Sequence, residues 1–268
     1  MHEPHAASRQ NLSPSELASQ TADLLTRLRA KAPRVHCITN AVAQSFTANT
    51  LLALGAVPSM TLSADEIGPF VARSDALLVN LGTFDQERRE ATSIAVDTAT
   101  RQRLPWVLDP VFVDRSEARA SYARDLIFLA PRAVRLNHAE FTALAGGAPS
   151  PDAVAAYARE RKVVVGLSGQ TDLIADGERA ATIANGHALM ARVTAMGCAA
   201  SAVVAACHAL ETDSWVATAA AMVMVGVAGE MAAGRSAGPG SFAVAILDAL
   251  YQLDGKTLAD CAKIVTGR

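Results

Sequence analysis

Ala76-Leu77-Leu78-Val79-Asn80 is an unbroken apolar run closed by an amide side chain. A strand with one face in water alternates apolar and polar residues, whereas one covered on both faces, as in a parallel sheet, is apolar throughout. Downstream, the pattern predicts a helix over 85–103, a strand over 106–108, a helix over 116–129 and a strand over 134–136. Helices over 139–144 and 152–160 and a strand over 163–167 come next. Upstream, Ser13 as N-cap and Pro14 at the first helical position open a helix to about residue 30. A strand over 35–39, a helix over 43–54 ended by Gly55, a strand over 57–60 and a short helix over 65–72 follow. Strands alternating with helices of this length imply a mostly parallel central sheet with right-handed crossovers. Asp176-Gly177 between strand-like 172–175 and 180–183 reads as a hairpin, predicting antiparallel edge strands. Three or four helices then close the chain.

The 268 residues suffice for one large α/β domain. No linker or composition break divides the chain, so the expectation is one domain over 13–268. Residues 1–12 read as a disordered leader without the apolar core of a signal peptide. A net charge of −2 argues against a nucleic-acid footprint. The four cysteines, at 37, 198, 207 and 261, show no zinc-type spacing and read as free thiols of a cytoplasmic protein. Residues 219–233 are strongly apolar, but the run is short and carries Glu230. A buried core helix is expected there, with no membrane partner.

Chemistry concentrates in Thr194-Ala195-Met196-Gly197-Cys198, which precedes a small-residue run free of Pro and Gly to Leu210. Gly197 is expected where loop becomes helix, with Cys198 in the first turn. A helix start offers unpaired N–H groups and the positive dipole end, suited to an anion, and favours the thiolate of a cysteine there. The same residues also read as a plain core helix whose Cys is a small apolar side chain. Ligands of open α/β sheets collect beyond the carboxyl ends of the strands. The expected ends carry Thr39, Asn40, Met60, Asn80, Gly82, Asp109, Asn137, Ser168 and Gly169. No P-loop and no G-x-G-x-x-G fingerprint is present, so phosphate would have to use the helix start at Gly197 and the amides near Ser168.

The stretch Asn185-Gly186-His187 through Thr194-Ala195-Met196-Gly197-Cys198 to Val204 resembles the hydroxyethylthiazole kinase family of the ribokinase-like superfamily. Four further blocks resemble it in the same order: Val35–Asn40 running on to Phe46–Ala56, Asn80-Leu81-Gly82-Thr83, Leu108-Asp109-Pro110-Val111, and Gly238-Pro239-Gly240-Ser241-Phe242. The resemblance implies a single-domain ribokinase-like α/β fold. It also implies ATP-dependent phosphorylation of the hydroxyl of 4-methyl-5-(2-hydroxyethyl)thiazole in thiamine salvage. Carried over residue by residue, it places Asn40, Val42, Met60, Ala195 and Gly197 at the thiazole. Arg135, Ser168 and Thr194 would contact ATP, and Asp109 and Glu140 would hold Mg²⁺ mostly through water. Cys198 would stand at the substrate hydroxyl as the catalytic residue, accepting or orienting its proton without forming a covalent intermediate. The implied partners are the small-molecule substrate and ATP, and the implied assembly is a homotrimer with sites at subunit interfaces.

The chain departs from the family pattern at several positions. Ala195 stands where the family carries Gly, and Met196 where it carries a small residue. Leu136 stands for the Gly of Arg-Gly-Asn, Gln170 for the Glu of Thr-Gly-Glu, and Phe112 and Asp114 for small residues after Asp109-Pro110-Val111. These changes keep open a thiazole-binding paralogue of weak turnover, or a kinase for another small heteroaromatic alcohol.

Overall fold

The computed structural model describes residues 11–267; the leader expected over 1–12 falls outside them apart from Asn11 and Leu12, which precede the first helix. That helix, α1 (Pro14–Lys31), begins as predicted: Ser13 Oγ accepts from the Glu16 amide at 3.3 Å, and Glu16 returns a bond to the Ser13 amide at 2.7 Å. The chain continues through β1 (Arg34–Ile38), α2 (Gln44–Leu54), β2 (Val57–Ser59), α3 (Ile67–Ala72), β3 (Ala76–Asn80) and α4 (Gln86–Gln102). Next come β4 (Trp106–Asp109), α5 (Glu117–Phe128), β5 (Ala133–Asn137), α6 (His138–Ala145), α7 (Pro151–Arg161) and β6 (Val164–Ser168). The hairpin β7 (Asp172–Ala175) and β8 (Ala180–Ile183) leads to α8 (Met196–His208), α9 (Ser214–Ala233), α10 (Pro239–Gln252), α11 (Gly255–Cys261) and β9 (Ile264–Gly267).

The strands form one sheet in the order β2-β1-β3-β4-β5-β6-β7-β8-β9, parallel through β6 and antiparallel beyond it. All five residues of β3 are buried, as its apolar run requires. One apolar core packs α1, α2 and α8–α10 on one face of the sheet, and a second packs α3–α7 on the other. The helix α9 is long and apolar enough to cross a membrane, but it is buried along most of its length inside the first core. The expectation of a core helix holds.

Two features differ from the sequence reading. The hairpin is antiparallel and turns through Gly177 at φ 92°, but β8 is not the edge: β9 pairs with it from Ala180↔Gly267 to Ile183↔Ile264. That strand has only four residues, too few for its alternation to stand out. The helix expected over 65–72 begins at Ile67, after a turn.

Candidate active site

The order β2-β1-β3 reverses direction between β1 and β3, which is where an open α/β sheet forms its crevice. Asn40 follows β1 and Asn80 ends β3, and Asn40 Nδ2 donates to Asn80 Oδ1 at 3.1 Å. Asn80 Nδ2 in turn donates to Asp109 Oδ2 at 2.7 Å, and that oxygen also accepts from Ser201 Oγ at 2.8 Å. An amide network thus runs from the end of β1 across β3 and β4 to α8. Its other branch ends on the thiol, where Asn40 Nδ2 donates to Cys198 Sγ at 3.3 Å.

The helix start lies as read from the sequence. Ala195 is the N-cap of α8 at φ 69° with no side chain capping the helix, which leaves first-turn amides facing outward. Arg135 Nη1 donates to the Gly197 carbonyl at 3.2 Å, and its buried Nε has no hydrogen-bond partner among the described residues. Arg135, Ser168, Met196 and Gly197 line a cleft of 890 Å³ that continues past Gly169 to Asn185 and Gly186. A second cleft, of 970 Å³, lies at the opposite, amino ends of the strands around Trp106 and Trp215 and contains none of the predicted site residues.

The thiolate reading of Cys198 fails. Burial, and next the charge of Asp109, push the thiol up to about 11, outweighing the hydrogen bonds from Asn80 and Asn40. Cys198 is therefore a neutral thiol at physiological pH. The carboxylates are perturbed the same way. Asp109 is raised by burial, against the opposing pull of Arg135, and Glu140 is raised to about 7 by burial and by the charge of Asp109. Glu140 Oε1 accepts from the Phe112 amide at 3.1 Å and Oε2 from the Asn137 amide at 2.9 Å.

Among the described residues no cluster of three or more His, Cys, Asp or Glu side chains could cage a metal. Two buried, mutually repelling carboxylates do suit a hard cation that keeps its waters and takes its other ligands from phosphate.

The remaining predicted residues are less tightly joined. Val42 lies beside Asn40 in an exposed turn and is 73% accessible. Met60 is half-buried against the first core, and Thr194 is exposed ahead of the helix start. Of the departures, Met196 is 4% and Leu136 1% accessible, so the Leu136 side chain, and all but a fringe of Met196, belong to the core. Phe112 occupies φ 61° and is 47% accessible. The sequence reading named Asn80 only as a strand end and missed Ser201, though its i, i+3 spacing from Cys198 puts both on one helix face.

The match to known proteins spans most of the chain. Residues 25–256 match the hydroxyethylthiazole kinase family. The chain is 43% identical over 267 residues to the hydroxyethylthiazole kinase of Granulibacter bethesdensis, covering 95% of this chain and 97% of that protein. It superposes on the hydroxyethylthiazole kinase structure from Pyrococcus horikoshii with a TM-score of 0.89 and 32% identity, covering 93% of this chain and 99% of that one. A ribokinase-like superfamily protein from Enterococcus faecalis shares the fold at TM-score 0.66 and 13% identity, covering 95% of this chain and 100% of that one. With sequence and fold in agreement along most of its length, the chain belongs to the hydroxyethylthiazole kinase family.

Proposed function

We propose that this protein transfers the γ-phosphoryl group of ATP to the hydroxyl of 4-methyl-5-(2-hydroxyethyl)thiazole. The observation that carries the reading is the first turn of α8, which belongs to two half-sites at once. Gly197 lines the large cleft with Arg135 and Ser168, while Cys198 meets Asn40 at the sheet's switch point. A nucleotide in the cleft and an alcohol beside Asn40 would therefore meet at the turn's open amides.

Phosphoryl transfer needs positioning and charge neutralisation more than covalent help from the protein. Arg135 and the first-turn amides would take the phosphate oxygens, with Ser168 and Thr194 flanking them. Asp109 and Glu140 would hold the water shell of Mg²⁺, which when bound supplies neutralisation of phosphate charge. Cys198, a neutral thiol fixed by Asn40, would orient the substrate hydroxyl; Asn40, Val42, Met60 and Ala195 would border the thiazole. Use of ATP and Mg²⁺ accords with a cytoplasmic enzyme.

We also infer a homotrimer whose neighbouring subunit covers the exposed Val42. Light scattering checks it, and a stable monomer with intact activity would overturn it.

A coupled ADP-release assay with the thiazole alcohol and Mg²⁺ tests the main reading, and saturable turnover is expected. Tight alcohol binding by calorimetry without turnover would instead favour the weak paralogue, which the positive φ of Ala195 supports. Turnover only with other heteroaromatic alcohols would relocate the substrate.

A further inference from the structure

Arg119 is poorly placed by every local criterion. It sits in the first turn of α5, where the helix dipole disfavours a cation. Burial lowers its pKa, and no ion pair joins it to a carboxylate among the described residues. What it has instead is three main-chain carbonyls. Its Nη1 donates to Leu81 O, to Gly82 O at 3.1 Å and to Val111 O at 3.2 Å, and the guanidinium lies 5.5 Å from the centre of the Phe84 ring.

Two of these carbonyls belong to peptide units whose other end enters the site. The Leu81–Gly82 unit turns its N–H to Asn80 Oδ1 at 3.0 Å, the same oxygen that receives Asn40. The Val111–Phe112 unit turns its N–H to Glu140 Oε1 at 3.1 Å. A trans peptide points C=O and N–H in opposite directions, so fixing one end aims the other. A cation on the carbonyl side also polarises the unit and strengthens the bond its N–H donates.

We propose that Arg119 is a positioning residue for this site, its guanidinium anchoring the two peptide units that set Asn80, and through it Asn40, on the alcohol side and Glu140 on the phosphate side. Lysine ends in a compact ammonium on a shorter stem, so it cannot keep a planar group beside Phe84 while its terminal nitrogen reaches all three carbonyls as Arg119 Nη1 does. The inference rests on the kinase reading, deepening it by naming the residue that holds both half-sites in register.

The test compares the parent with Arg119→Lys and Arg119→Ala by thermal melting, calorimetric titration with the thiazole alcohol alone, and ADP release against Mg²⁺ concentration. Loss of supporting partners of this kind typically costs about 10- to 100-fold. The expected result for Arg119→Ala is an alcohol Kd and an apparent Mg²⁺ requirement each raised about tenfold or more. Arg119→Lys should be impaired in both at a melting temperature near the parent's, and it decides the question if Arg119→Ala does not fold. Millimolar guanidinium should restore part of the alcohol affinity to Arg119→Ala, with sodium chloride at equal ionic strength giving no such effect. Folded variants that melt lower yet bind alcohol and respond to Mg²⁺ as the parent does would overturn the proposal. A parent that neither binds nor turns over the alcohol would instead overturn the kinase reading.

Discussion

Asn40 Nδ2 lies 3.3 Å from Cys198 Sγ, joining residues 158 apart in sequence. The contact brings the end of the first strand to the first turn of α8, so the two sequence blocks that most resemble the family meet in one hydrogen bond. Taken alone, the contact favours the thiolate. Sulfur here receives a hydrogen bond, yet burial and the nearby Asp109 keep its proton on.

Cys198 should therefore resist alkylation near neutral pH, because the thiolate is the nucleophile. With a thiol pushed up to about 11, iodoacetamide at pH 7.5 should label the exposed Cys261 and leave Cys198 intact. Peptide mass mapping reads this directly. Early labelling of Cys198 would show a thiolate and would sink the neutral-thiol assignment. Cys198→Ser, which retains a donor and an acceptor, should keep measurable turnover.

Ala195 at φ 69° holds a conformation that opposes a Cβ, at about 1–2 kcal/mol. Ala195→Gly relieves that strain and gives the unfolded chain more freedom, so a net gain of up to about 1 kcal/mol is expected. Urea unfolding measures it, and a stability loss would mean that the Ala195 methyl packs usefully. Phe112→Gly, at φ 61°, should follow the same logic, with turnover unharmed if the exposed ring contributes nothing to the site.

The alternation of strands and helices was legible because β3 and β6 are short apolar runs bounded by polar residues. The helix start at Gly197 was legible from one glycine ahead of a long small-residue run. By contrast, β9 was not, since four residues with only Ile264 buried carry no periodic signal. The state of Cys198 was also hidden. Its proton depends on burial and on Asp109, and local sequence reports only the helix dipole, which favours the opposite state. Arg119 left no trace because its partners are carbonyls, which every residue has.

Acid should destabilise the fold through two buried imidazoles. Burial lowers His36 to about 4 and, together with the charge of Arg132, His208 to about 3, whereas an unfolded histidine titrates near 6.5. Between these values the unfolded chain binds protons that the fold excludes, so stability is full above about 6.5 and falls as pH drops through the window. Glu140, raised to about 7, binds a proton in the fold over the same window and offsets one of the two imidazoles, so the net slope is that of about one group, at most about 1.4 kcal/mol per pH unit. Urea midpoints at pH 7, 6 and 5 compare the parent with His208→Asn, which should lose less stability on acidification than the parent. An unchanged pH dependence in His208→Asn would contradict the neutral imidazole at that position.

Gly82→Ala probes the Asn40 contact without removing a polar group. A Cβ at Gly82 would fall 2.5 Å from Asn40 Nδ2 and 2.8 Å from Asn40 Cβ, closer than real atoms approach, so Asn40 or the loop must move. The Asn40 side chain is also held by Asn80 and by the Ala43 amide, which it accepts at 3.0 Å, so yielding disturbs the bond to Cys198. The Gly82 backbone has no positive φ, so little strain arises from the substitution itself. Calorimetry should show weakened thiazole binding of about 1–3 kcal/mol, as expected for a forced shift in a packed site. The affinity for ATP, held around Arg135 and Ser168, should change far less. Gly147→Ala, with nothing within 4 Å of its Cβ, is the neutral control. Equal loss of both ligands in Gly82→Ala would mean that the loop supports the whole crevice; unchanged thiazole affinity would remove Asn40 from the substrate wall.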